Sequence, residues 1–312
     1  MLTVRTVTRR FDPPLRAAWG ELRERTVLRV RLEFGPGDWG DGEAAPLEPY
    51  DGVPLAAVRA ALDAYARIEA PPEELLAACA AERDLPQALA AIDLALWDRR
   101  SRREAVPVAR LIAADAPDSV PVNATIGAED RAGAATAAAE AVRAGFGCVK
   151  VKVGVGDDAG RLAAVRAVAP DALIRIDANG AWATPEEALA HLRMLAPVGI
   201  ELCEEPVHGV EALRAVRARS PIPIAGDETF APGAVDYVVL KVTRGGITGV
   251  LEAARAARAA GSEVYVTHTY DGPLGLAAGV QVAAGVQSLV HCGLPPTEPG
   301  AARVRARPGL GQ

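Results

Sequence analysis

From about residue 119 the sequence repeats one pattern, a short β-rich run followed by an amphipathic helical stretch. The runs are SVPVNAT (119–125), CVKVKV (148–153), LIRIDA (173–178), IELCEE (200–205), IPIAGDE (222–228), YVVLKV (237–242), EVYVTH (263–268) and a weaker SLVHCG (288–293). Five of the seven intervals between run starts are 25 to 29 residues long, room for a strand, a helix and two turns. Parallel strands can be joined only through such crossovers, so eight of them in succession predict an α/β fold of the (β/α)8 (TIM) barrel type. A doubly wound sheet would carry a glycine-rich phosphate turn after its first strand, and NATIGAED is not one. One interval breaks the period. Only thirteen residues separate Asp227 from Lys241, and FAPGAVD is too short for a crossover helix, so the fifth helix is expected to be missing or reduced to a turn.

Residues 1–118 have a different texture. TVLRVRLEF (26–34) alternates as a strand does, GPGDWGDG (35–42) is rich in turn residues, and helical segments follow near 54–67, 72–81 and 86–100. This predicts an N-terminal α+β domain over 1–118 and a barrel over 119–294, with the tail 295–312 returning to the first domain. At 312 residues the chain can bury a large core, and half of it is apolar. A net charge of −6 with interspersed signs gives no basic stripe and argues against nucleic acid. No apolar stretch is long enough for a membrane span and no signal-peptide pattern opens the chain, so a cytoplasmic protein without a membrane partner is expected. The four cysteines, far apart and unpaired in spacing, read as isolated core thiols.

Of the 34 basic residues only three are lysines: Lys150, Lys152 and Lys241. A lysine amine can be deprotonated by burial or by a neighbouring cation and can then act as a base; a guanidinium cannot. Lys150 and Lys152 lie two apart on a strand and so face the same side, where their repulsion should lower at least one pKa. The next three runs each end in an acid: Asp177 in RIDANGAW, Glu204 in LCEEP and Asp227 in AGDET. Each alone could cap a helix. Three carboxylates converging on one mouth repel unless a divalent cation joins them, and all-oxygen ligation suits magnesium or manganese. With Lys241 ending the sixth run, amine, metal and amine form an arrangement for removing a proton beside a carboxylate. Two other classes stay open: a Schiff-base aldolase with Lys241 as nucleophile, and a non-catalytic barrel retained for binding.

These residues resemble the enolase superfamily in its muconate-lactonizing subgroup. The resemblance rests on WGDGEAAPLEPYDG, AIDLALWD, KVKVG, DANGAW, EEP, GDE and VLKV, and covers nearly the whole chain. It implies that 1–118 is a capping domain, that Asp177, Glu204 and Asp227 are the magnesium ligands, and that Lys152 is the catalytic base. It further implies that Lys241 is the partner on the opposite face, that Lys150 tunes Lys152, and that Asn179, Glu205, Glu228, Thr267 and His268 stand in support or against substrate, with Asn179 facing the lysines. VPVNATI and GPLGLAAGVQVAAG look most like the o-succinylbenzoate synthases of actinobacterial type, which dehydrate a cyclohexadiene carboxylate in menaquinone synthesis. N-acylamino acid racemase and muconate cycloisomerase are the alternatives within the subgroup. The sequence departs from those synthases at Thr267, His268, Thr269, Tyr270 and Asp271, and at His291-Cys292-Gly293 it lacks the Asp-x-Asp of dipeptide epimerases. Small carboxylates are the expected substrates, specificity is expected from loops near 10–25 and 47–53, and the oligomeric state, a homo-oligomer included, is left open.

Overall fold

The computed structural model describes residues 1–17, 20–288 and 290–310, with the backbone alone at 13–17 and 20. Ala18 and Trp19 of the 10–25 stretch, Leu289 of the eighth run, and Gly311 and Gln312 of the tail lie outside the described residues.

The chain opens with strands β1 (Leu2–Ala17), β2 (Gly20–Gly35) and β3 (Asp38–Ala44), which form an antiparallel sheet in that order. Alternation sends Leu28, Val30 and Leu32 to one face and Arg29, Arg31 and Glu33 to the other. Next come α1 (Glu48–Asp51), α2 (Leu55–Tyr65), α3 (Pro72–Glu82), α4 (Pro86–Glu104) and α5 (Val108–Ile112). The apolar sheet face packs on this layer through a cluster that includes Leu28, Val30, Leu62, Tyr65 and Ile92, and each such side chain contributes about 1.5–3 kcal/mol on burial. The sheet and α4 approach at backbone distance, because a Cβ on Gly42 would lie 1.9 Å from the Ala91 carbonyl oxygen. Of the expected 10–25 loop, the described residues are strand instead, with Arg10 paired to Glu24 and, after a shift of register, Leu15 to Leu22 and Ala17 to Gly20.

A second sheet contains seven parallel strands side by side in chain order: β5 (Ala124–Ile126), β6 (Cys148–Lys152), β7 (Leu173–Asp177), β8 (Ile200–Glu204), β9 (Ile224–Gly226), β10 (Tyr237–Leu240) and β11 (Glu263–Val266). Between them run α6 (Arg131–Arg143), α7 (Asp158–Val168), α8 (Pro185–Leu195), α9 (Val210–Arg217) and α10 (Gly246–Ala259), and α11 (Pro273–Gly285) follows β11.

Two of the eight expected strands differ. The first run splits: its start, β4 (Ser119–Pro121), pairs antiparallel with β12 (Ala301–Arg303), and only β5 enters the large sheet. Pro121 has no N–H to give a ladder, and the Val122 amide bonds to Gly300. The eighth run forms no strand among the described residues. Its Cys292 bridges to Val122 and its Gly293 to Thr267, and Pro295 and Pro296 follow at once. Those single bridges still tie the β11 edge to the segment before β5 and curl the sheet upon itself. The tail continues past β12 to α4, where the Gly309 amide bonds to the Ser101 hydroxyl.

Between β9 and β10 no helix occurs. Asp236 ties the connection back through its carboxylate to the Ile224 amide at 2.9 Å, and Arg217 of α9 grips Asp236 and the Gly233 carbonyl. All four cysteines are buried free thiols, and no helix among the described residues is long and apolar enough to cross a membrane.

Candidate active site

The carboxyl ends of the parallel strands open into a cavity of about 710 Å³. On β6 the valines Val149 and Val151 are buried outward, so Lys150 and Lys152 project inward and line the cavity. Asp177 ends β7 and Glu204 ends β8, while Asp227 follows β9 and Lys241 follows β10. Asn179, Glu228, Thr267 and His268 line the same cavity. Ten of the eleven residues singled out from the sequence therefore meet in one place. The exception is Glu205. It is buried beneath the cavity, where it accepts from the Asp227 amide at 2.8 Å, from the Thr229 hydroxyl at 2.5 Å and from His208 at 3.1 Å, so it holds the Asp227 turn and does not face a substrate.

Lys150 Nζ donates to Asp177 at 2.9 Å and to both Glu204 oxygens at 3.2 Å. Lys152 Nζ donates to the same Asp177 oxygen at 2.7 Å and to Asn179 Oδ1 at 2.5 Å. Across the cavity Lys241 bonds to Asp227 Oδ1. The phenol of Tyr50, from α1, donates to that oxygen at 2.9 Å, and Arg244 donates to the Tyr50 oxygen at 2.5 Å. Tyr265 of β11 donates to Glu204 Oε2 at 2.9 Å.

The expected fall in a lysine pKa does not hold for Lys150. Burial works against its ammonium, but the charges of Asp177 and Glu204 outweigh burial and push the pKa up. Asp177 shows the reverse balance, since burial would raise it and the two lysines bring it down. Glu204 is pushed up to about 8 by burial and by Asp177, with Lys150 only partly offsetting this. Crowding of buried acids therefore disfavours the charged form of Glu204, while Asp177 stays ionised between its two amines. Burial lowers the pKa of His268, whose Nδ1 accepts from the Tyr270 amide.

Backbone strain gathers at the rim. Asn179, Glu205 and Tyr270 have φ of 45°, 40° and 55°, three of the five non-glycine residues with positive φ among those described. Gly180 sits beside them at φ 70°, where a Cβ would lie 2.0 Å from the His208 ring.

Asp177, Glu204 and Asp227 are an all-oxygen donor set on adjacent strand ends, and in that respect they fit a hard divalent cation. As the side chains stand, no three acids, histidines or cysteines among the described residues are gathered closely enough to hold an ion. The amines of Lys150 and Lys241 take up the carboxylate oxygens that would turn to one.

Tyr50, Tyr265, Arg244, Thr125 and His208 belong to the site besides the residues expected from the sequence. Tyr265 had a legible signal, its inward place in the alternation of EVYVTH. Tyr50 lies in the flagged 47–53 stretch, and nothing local says that it reaches Asp227, 177 residues away.

A family profile described as Enolase C-terminal domain-like matches residues 133–311. An o-succinylbenzoate synthase of Thermobifida fusca is 38% identical over 57% of this chain and 59% of its own length. A hydrophobic dipeptide epimerase of Enterococcus faecalis is 31% identical over 68% of this chain and 64% of its own length. The matched stretch therefore spans less than two thirds of either relative. Among solved structures, the dipeptide epimerase of Enterococcus faecalis V583 complexed with Mg and the dipeptide L-Leu-L-Tyr superposes with a TM-score of 0.90 at 26% identity, covering 99% of this chain and 98% of that one. The likeness extends to the parallel barrel and to the N-terminal α+β part that precedes it.

Proposed function

Because this chain belongs to the Enolase C-terminal domain-like family, we propose that it is a magnesium-dependent lyase that removes a proton alpha to a carboxylate, with o-succinylbenzoate synthesis as its reaction. The carrying observation is that Lys152 and Lys241 stand on opposite sides of three buried acids, with strands β7, β8 and β9 between theirs. In this reading residues 1–118 cap a barrel formed by 119–294, and Asp177, Glu204 and Asp227 would hold the ion. Bound there, magnesium supplies positive charge to the substrate carboxylate as the neighbouring carbon loses its proton.

Every other part falls to the chain's own groups. Lys152, as a free amine, takes the α-proton of 2-succinyl-6-hydroxy-2,4-cyclohexadiene-1-carboxylate; the electrons of that C–H bond form the new ring double bond as the hydroxyl departs, and the proton leaves with it as water. Asn179 Oδ1 orients the Lys152 amine, and Lys150 places a fixed positive charge beside it. Lys241 faces the developing anion from the other side with its ammonium. Tyr50 and Pro49 roof the cavity from α1, and Phe11 of the hairpin sets its ring edge-on to Tyr270 at 6.3 Å. Both flagged stretches therefore reach the wall that would select a substrate.

A second reading has its own support. The dipeptide epimerase likeness spans the whole chain, and two lysines on opposite faces suit a two-base racemase or epimerase acting on acylated amino acids or dipeptides. Against it, the eighth run offers Gly293 to the cavity and no carboxylate that could hold a dipeptide ammonium. Assaying the cyclohexadiene carboxylate, an N-succinylamino acid and a dipeptide side by side, with magnesium and with excess chelator, tests both readings. Dehydration that requires magnesium supports the first, epimerisation without dehydration supports the second, and full activity in chelator contradicts both.

A further inference from the structure

A second cavity of about 710 Å³ lies away from the lysines and acids, over the outer face of the N-terminal sheet. Its floor is set by strand register. Arg5 of β1 pairs directly with Arg29 of β2, and Thr3 pairs with Arg31 one step along the same face. The first residues of α11, Pro273 and Leu274, and the tail residues Arg305 and Leu310 close the other side.

The arginines here are of two kinds. Arg31 is satisfied, since it forks onto Asp41 at 2.7 and 2.8 Å. Among the described residues Arg29 has a buried Nε with no hydrogen-bond partner, although Glu43 stands opposite it on β3 and offsets part of its charge, and Arg5 on its other side bonds to no side chain. Like charges directly opposite on a sheet repel, and a buried donor without a partner is costly. The cavity lining carries four arginines against Glu33 and Asp41, an excess of positive charge in a chain of net charge −6. Val7, Pro273 and Leu274 give the cavity an apolar flank, and its volume is that of an ordinary small-molecule site.

We propose that this cavity binds a diphosphate-bearing small molecule, with the Arg5 and Arg29 guanidiniums forked onto the phosphates, Arg305 closing from the tail, and the organic part against Val7 and Leu274. Guanidinium forks match phosphate oxygens in pairs, and a doubly charged anion removes the repulsion across the Arg5–Arg29 pair.

Calorimetric titration of the full chain with ADP and with inorganic pyrophosphate, both in magnesium-free buffer at low salt, tests this. Saturable one-to-one binding by both probes is expected, weakening as salt rises. The double variant Arg5→Gln/Arg29→Gln should weaken it by about a hundredfold, Arg5→Lys/Arg29→Lys should restore part of it, and Lys152→Ala should leave it unchanged. Thermal melting read alongside separates binding from folding, since the probes should raise the melting temperature of the wild type and of Lys152→Ala but not that of the Gln pair. No binding by the wild type, equal binding by the Gln pair, or loss of binding in Lys152→Ala would each overturn the proposal. So would concentration-dependent self-association that the Gln pair abolishes while neither probe binds, because the cavity would then be a contact between copies of this chain.

Discussion

The two flanks of the candidate active site use the same pair of residue types in different surroundings. On the β6–β7 flank two amines share Asp177, and the side chains of Lys150 and Lys152 keep 13% and 23% of their exposure. On the β10 flank one amine holds Asp227, and Lys241 keeps 3%, roofed by Tyr50, whose ring centre lies 5.3 Å from its Nζ. The proposed mechanism makes the more open Lys152 the amine that meets the substrate. Lys241 is desolvated and held by Asp227, so in the proposed mechanism its ammonium acts by charge in a medium that screens it little. In that mechanism accessibility, more than residue type, separates the proton carrier from the electrostatic partner.

The harshest way to break this comparison is Asp177→Asn, which strips both amines of the first flank of their shared partner. Activity should fall about ten-thousandfold or more, as expected when charge stabilisation and base positioning fail together. Without added metal the fold should also lose about 3 kcal/mol, the cost of leaving a buried charge unpaired. Glu204→Gln should abolish turnover too, yet leave stability nearly unchanged, because burial and Asp177 already disfavour the charge of Glu204. Chemical denaturation of the two variants side by side checks the contrast, and equal losses would count against it.

Lys241→Arg sharpens the other flank. A permanent cation remains there, so dehydration should fall only about a hundredfold, whereas a two-base epimerase would lose exchange at one face entirely. Solvent-deuterium exchange measured on an N-succinylamino acid separates the two outcomes.

Tyr50→Phe is milder. It removes one charge-assisted bond to Asp227 and should cost about tenfold in turnover, with the β6–β7 flank untouched; an unchanged rate would show that the roof does not set the Asp227 geometry.

The smallest effect concerns pH. Behind the Tyr270 wall, burial and then Asp271 push Glu43 up to about 7. Its folded pKa lies above the unfolded value, so the folded state holds the proton more tightly. Stability is then fullest below about pH 4.5, falls as pH rises toward 7, and the loss is complete above that, about 3 kcal/mol at most. Urea titrations at pH 5 and pH 8 should show the decline, and Glu43→Gln should flatten it.

Much of this was legible in the sequence because strands write their own period. Lys150 and Lys152 share a face by alternation, and Asp177, Glu204 and Asp227 end successive runs, so convergence at one mouth follows from parallel topology alone. The helix missing between Gly226 and Tyr237 was legible from length. What could not be read depends on distant partners. Pro121 marked a break in the first run but not its pairing with Ala301. The repulsion of Lys150 and Lys152 was legible, but not that Asp177 and Glu204 stand close enough to Lys150 to reverse its sign. Glu205 follows Glu204 at a strand end, and only its φ of 40° turns it down toward Thr229.

The most direct test of the central claim is single-turnover dehydration of the cyclohexadiene carboxylate by Lys152→Arg, with magnesium saturating and the fold verified by melting. Arginine keeps the charge near Asp177 and Asn179 but cannot surrender a proton at neutral pH. A loss of about a thousandfold or more with substrate still bound is expected. A rate within tenfold of the wild type would contradict it, for Lys152 would then not be the group that takes the proton.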